Sequence, residues 1–269
     1  VKDPGYIGRP ESRQQDDLFV HSDSNLIVIA VFDGHDSGNG KIASGVVKKS
    51  FHQDLVENPD IIDSIRDDLI NAPIYLAKVF KNANDRLKHA LKQLYEEKDK
   101  IVTEEKGYPV YQDGSMKRII RGGTTASIAI ILDNKFLISA NVGDSSIFLC
   151  GENVSTITET GITSTFELEE VTDNYAIMSP GHSPDDISEY KRIKKYGEEN
   201  GIEKPISNIF DGVPVGVAEG KPCFVETENG LTKNKTGFYH KNVRGEFACL
   251  IKDPESGTML AMTRAIGDF

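Results

Sequence analysis

The chain has 269 residues, 38% of them hydrophobic, which is enough to bury a sizeable core as one domain. A formal charge of -11 argues against a nucleic-acid binder, which needs a basic face, and no stretch approaches the roughly 18 apolar residues of a membrane-spanning helix. The three cysteines, Cys150, Cys223 and Cys249, are odd in number and far apart; they match neither a disulfide framework nor a zinc-ligand spacing, which points to a reducing compartment.

In chain order, residues 17–20 read as a short strand and Leu26–Phe32 as a second, buried on both faces. That second strand stops on Asp33-Gly34-His35. A rigid strand ending in a carboxylate, a glycine and an imidazole can present them to metal or acid-base chemistry, although the tripeptide alone is equally compatible with an ordinary strand-ending turn. Glycine-rich residues 34–40 lead into a helix over 41–55, with Ile42, Val46, Val47 and Phe51 at helical spacing. Residues 61–69 and 74–100 are also helical, the latter with a core-facing stripe that includes Leu76, Val79, Ala83 and Leu87. Residues 104–121, polar and broken by Gly107, Pro109 and Gly114, form an exposed loop or hairpin, and 96–121 as a whole reads as a surface insertion.

Three strands follow, at 126–132, 136–142 and 146–150, the first two joined by Asp133-Asn134 as a two-residue turn. Residues 155–174 read as strand and loop, and 185–197 as a short helix capped by Ser183 with Pro184 in its first turn. Residues 201–257 carry no assignable pattern, and 259–264 form a last strand. The chain begins at Val1 and ends at Phe269 within an apolar stretch, which reads as a fragment of a longer protein.

Five clusters carry acids, glycines or both: Gln15-Asp16-Asp17, Asp33-Gly34-His35, Gly122-Gly123-Thr124-Thr125-Ala126, Asn141-Val142-Gly143-Asp144-Ser145, and Thr263-Arg264-Ala265-Ile266-Gly267-Asp268. In this order and strand context they resemble the metal-dependent serine/threonine protein phosphatases of the type 2C family, as does the segment His182-Ser183-Pro184 with Glu189 and Arg192-Ile193. The resemblance covers about residues 12–269. It implies an α+β fold in which two antiparallel sheets pack as a sandwich with helices on both outer faces. It also implies a binuclear Mg2+ or Mn2+ centre, with Asp33 bridging the ions, the Gly34 carbonyl as a ligand, and Asp16 or, alternatively, Asp17 holding a metal-bound water. Hard divalent cations favour such oxygen donors, and a pair about 4 Å apart activates a shared water for in-line attack on phosphorus. The resemblance makes His35 the candidate general acid that protonates the departing serine or threonine oxygen.

The match departs from the family in places. The phosphate-gripping arginine falls out of register, leaving Arg13 as the candidate ahead of Arg9. Gly143-Asp144-Ser145 is followed by Ser146 instead of arginine, but keeps Asp144 as a possible ligand of a third, weaker metal or as a plain turn acid. Asp36 stands where relatives often carry glycine and is expected as a solvated loop residue. Family members supply further aspartates beyond the Gly-Asp motif, so the chain alone is expected to bind metal poorly and turn over little.

The expected activity is hydrolysis of phosphoserine and phosphothreonine in proteins. The alternative is a pseudophosphatase acting as a regulatory or scaffolding module; a two-metal nuclease is disfavoured by the acidic charge. The expected partners are phosphorylated proteins, with neither nucleic acid nor membrane, for a monomer in the cytoplasm or nucleus.

Overall fold

A computed structural model of the chain describes residues 14–36, 38–105, 107–155, 168, 170–202, 207–210, 222–228, 230–233, 249–252 and 259–268. Two compact units divide it, one comprising Val1–Pro180 with Ala265–Phe269 and the other Gly181–Arg264.

Alternation along one strand organises the first unit. In β2 (Leu26–Phe32), Val28, Ala30 and Phe32 are buried, whereas Ile29 and Val31 remain 43% and 39% exposed. The expectation of a strand buried on both faces is therefore corrected. An apolar outer face conceals the period of two, because Ile29 and Val31 are as hydrophobic as the residues they alternate with. Strand β1 (Asp17–Ser22) pairs antiparallel with one edge of β2. On the other side lie two later strands, which we number β8 (Ala126–Leu132) and β9 (Phe136–Val142), giving the order β1-β2-β8-β9. At the β8–β9 connection Asp133 and Asn134 take φ of 55° and 52°, and the Lys135 amide donates to the Leu132 carbonyl. The ladder closes on Leu132 opposite Phe136, so the connection has one residue more than expected.

Three helices follow β2 where apolar spacing placed them: α1 (Gly40–His52), extended by a π-helical turn at Gln53–Glu57, α2 (Pro59–Asp67) and α3 (Ala72–Glu96). Asn58 caps α2 by accepting from the Asp60 amide. The inner sheet face and α1 share Phe32 and Phe51, whose rings meet edge to face at 5.5 Å, and Phe51 meets Phe80 of α3 at 4.9 Å. Val79, Ala83, Leu87 and Leu91 of α3 are wholly buried, and burying a side chain of leucine size contributes about 2 kcal/mol.

Residues after α3 form a three-stranded antiparallel sheet, β4 (Val102–Glu105), β5 (Tyr108–Asp113) and β6 (Met116–Ile119). This corrects the expected loop or hairpin. Glu104 accepts from Lys88 at 2.8 Å and Lys92 at 2.6 Å on α3, and Val110 is buried, so polar composition reflects an outward face of folded structure. The strand expected at 146–150 is limited to β10 (Phe148–Cys150), which pairs with β11 (Tyr175–Ile177). Most of 155–174 lies outside the described residues.

In the second unit, α4 (Ile187–Glu199) is capped by Asp186, which accepts from the Glu189 amide at 2.8 Å. Ser183, the expected cap, instead donates to Asp185. The buried Glu189 carboxylate receives Thr263 and Arg264, each at 2.5 Å, and Arg192 at 2.7 Å. Strands β12 (Ser207–Phe210), β15 (Cys249–Lys252) and β16 (Met259–Leu260) form one sheet, and β13 (Phe224–Thr227) pairs with β14 (Gly230–Lys233). The strand expected over 259–264 thus ends at Leu260. Cys223 is disulfide-bonded, which corrects the reading of the cysteines as unlike a disulfide set and removes its support for a reducing compartment. Sequence separation does not restrict which thiols a fold brings together. Every named strand pairing is antiparallel, as an α+β fold of this kind requires, and among the described residues no helix is long and apolar enough to cross a membrane.

Candidate functional site

Beyond Phe32 the chain turns through Asp33 into β3 (Gly34–His35), which joins a small sheet of order β17-β7-β3 with β7 (Gly123–Thr124) and β17 (Ile266–Gly267). Five segments distant in sequence therefore meet at one end of the four-stranded sheet. Gly34 is packed so closely that a Cβ there would lie 2.3 Å from the Gly40 carbonyl oxygen and 2.8 Å from that of Gln15. The same Gln15 oxygen accepts from Ser44 at 2.6 Å, and the Gln15 amide donates to the Asp36 carbonyl at 2.6 Å. These contacts hold residues 15 and 16 beside the loop.

Asp16 and Asp33 are brought together, each carboxyl within hydrogen-bonding range of the other. Asp33 keeps an exposed edge, but surrounding chain desolvates its carboxyl, and the nearby charges of Asp16 and then Asp144 add to this. Together they push its pKa up to about 6, with His35 acting the other way. Asp17 is directed elsewhere. It opens β1, and its carboxyl meets Lys48 at 2.8 Å and Lys41 at 3.8 Å. Burial works against its charge, yet the hydrogen bond from Lys48 and its other partners hold its carboxyl below the usual range.

His35 Nε2 is hydrogen-bonded to Asp268, and Nδ1 is buried with no partner among the described residues. Burial alone would discharge the imidazolium. The bond to Asp268 and the charges of Asp268, Asp33 and Asp144 outweigh that and raise its pKa. Gly123 makes room for the pair, since a Cβ there would sit 2.5 Å from the Asp268 carboxylate and 2.6 Å from His35 Nε2. Asp268 belongs to a motif visible in the sequence, but its role beside His35 was not; only the pairing of β17 with β7 brings it there.

Asp144 is exposed in the turn after β9, where Gly143 adopts φ of 107°. Asp36 is partly buried at φ of 88°, which corrects the expectation of a freely solvated residue and accounts for glycine being suited to this position. Arg13 and Arg9 lie outside the described residues. Among the described residues, no three carboxylate, imidazole or thiol groups converge as a metal site would require. What this end of the sheet does contain is a carboxylate pair, Asp16 with Asp33, and a third acid, Asp144, close enough to repel it. Paired carboxylates are the donor type that hard divalent cations favour.

Compared with known proteins, residues 21–269 match the family model described as Protein phosphatase 2C. The match begins after Arg13, Asp16 and Asp17 and includes Asp33, Gly34 and His35. No curated protein matches the chain.

Proposed function

Because the chain belongs to the protein phosphatase 2C family, we propose that this end of the sheet removes phosphate from phosphoserine and phosphothreonine in proteins, using two Mg2+ or Mn2+ ions. The observation that carries the reading is the Asp16–Asp33 carboxyl pair placed at the end of β2 with His35 two residues away. Cations of this class, when bound, supply Lewis acidity that activates water and offsets phosphoryl charge. Asp16, Asp33 and the Gly34 carbonyl would hold them, and Asp144 would serve a third, weaker site.

The remaining work falls to the chain's own groups. His35, whose Nε2 is hydrogen-bonded to Asp268, holds the proton destined for the departing serine or threonine oxygen. Arg13 is the candidate to grip the phosphate through paired N–H groups. Phosphorylated proteins are the partners this chemistry calls for. The test is phosphate release from a phosphothreonine peptide with Mn2+, expected to stop on chelation and in Asp33→Asn. Release that persists in chelator overturns the proposal.

A second reading, a pseudophosphatase that keeps the fold as a binding or scaffolding module, is favoured by two observations. No three ligand groups converge among the described residues, and His35 Nε2 is engaged by Asp268 while its Nδ1 is buried. Phosphopeptide binding without turnover in Mn2+ supports this reading, and chelator-sensitive turnover excludes it.

A further inference from the structure

Thr125, at the junction of β7 and β8, contacts the two segments that bear Asp33 and Asp144. Its side chain is fully buried, and its Oγ1 accepts the Asp33 backbone N–H at 3.0 Å. Its own amide donates to the Asp33 carbonyl at 2.9 Å. Both polar groups of the Asp33 peptide backbone are thus held by one residue. The same Oγ1 lies 2.9 Å from the Ser145 hydroxyl, and the Ser145 carbonyl is held in turn by Ser127 Oγ at 2.6 Å. Gly143, two residues before Ser145, packs against the Thr125 methyl so tightly that a Cβ there would lie 2.5 Å from it.

The two segments joined this way carry two of the carboxylates assigned above to cation binding, Asp33 and Asp144. Left to themselves, like charges move apart, and a cation site built from them forms only if something fixes their spacing. We infer that Thr125 is the positioning residue that sets Asp33 against the Asp144 turn and so tunes the site's affinity for divalent cations. The hydroxyl carries the role, because it alone bridges the Asp33 amide and Ser145; the methyl only fills space under Gly143. The inference rests on the cation-binding reading above.

Two substitutions separate these contributions. Thr125→Val keeps the shape and removes the bridging oxygen, leaving the Asp33 N–H without its acceptor, whereas Thr125→Ser keeps the oxygen and removes a buried methyl. Both destabilise, through different atoms, so thermal stability alone does not tell them apart. Mg2+ titrations of the chain, followed by the amide NMR shifts of Asp33 and Asp144, do. Thr125→Val is expected to weaken the apparent affinity by about tenfold or more, and Thr125→Ser by no more than about threefold. Affinity that falls in step with melting temperature in both variants, or is unchanged in Thr125→Val, overturns the inference. Absence of saturable shifts in the unsubstituted chain overturns the cation reading and the purpose assigned to Thr125 with it. Hydrogen exchange at the Asp33 amide reads the clamp without any cation: faster exchange in Thr125→Val but not Thr125→Ser supports it, and equal protection in all three chains overturns it.

Discussion

At the residue scale, position 34 leaves a methyl group nowhere to go. The atoms in its way, the carbonyl oxygens of Gly40 and Gln15, belong to the backbone and cannot rotate aside. Gly34→Ala is therefore expected to cost about 3 kcal/mol, read as a lower denaturation midpoint, although the change adds one carbon. Two residues on, the sign reverses. Asp36 holds a φ of 88° that L side chains rarely adopt, so Asp36→Gly relieves strain and is expected to stabilise the chain by about 1 kcal/mol in the same measurement. Of the residues at this site, Asp33, Gly34 and His35 were legible in the sequence because a continuous apolar strand delivers them together. Asp16, preferred to Asp17 from the sequence, lies toward Asp33, and Asp17 lies toward Lys48. Asp268 and Thr125 owe their roles to pairings across 233 and 92 positions, for which no local pattern exists.

At the scale of elements, legibility followed length. The helices over α1 and α3 announced themselves through repeated apolar spacing, but two-residue strands such as β3, β7 and β17 present no period to read. The start of α4 was misplaced for another reason. Asp186 and Glu189 have the acid-to-acid spacing of a capping box, but Ser183-Pro184 offered an equally plausible start three residues earlier. Glu189 also gives α4 a pH dependence. Its burial opposes ionisation, but the hydrogen bonds from Arg192, Arg264 and Thr263 outweigh this and hold its carboxyl well below the usual range. A depressed acid stabilises the fold fully above its unfolded value of 4.5 and loses that contribution as pH falls toward the folded value. The second unit is thus expected to lose stability progressively below about pH 4.5. Glu189→Gln should cost about 2 kcal/mol at neutral pH, less than a sealed ion pair because both arginines reach solvent, and should flatten the acid limb of melting temperature against pH. An acid limb as steep as that of the unsubstituted chain would refute the assignment to Glu189.

For the first unit as a whole, the central sheet has one face covered by helices and another that, along β1 and β2, is exposed among the described residues. Helices α1 and α3 lie over Val28, Ala30 and Phe32, whereas Leu18, Val20, Ile29, Val31 and Leu137 point the other way and are between 38% and 63% exposed. Cross-strand neighbours on that face, Val20 with Ile29 and Leu18 with Val31, are apolar on both sides, so the exposure is contiguous rather than scattered. A patch of this kind holds water at unfavourable cost and takes up apolar probes, in contrast to single surface leucines. The chain is expected to bind anilinonaphthalene sulfonate in its native state, with fluorescence that falls several-fold in the double variant Val20→Lys, Ile29→Glu. The two new charges stand opposite each other across the ladder and attract, so stability should change by no more than about 1 kcal/mol. Fluorescence that stays high in a folded double variant would place the probe elsewhere and refute the bare-face account.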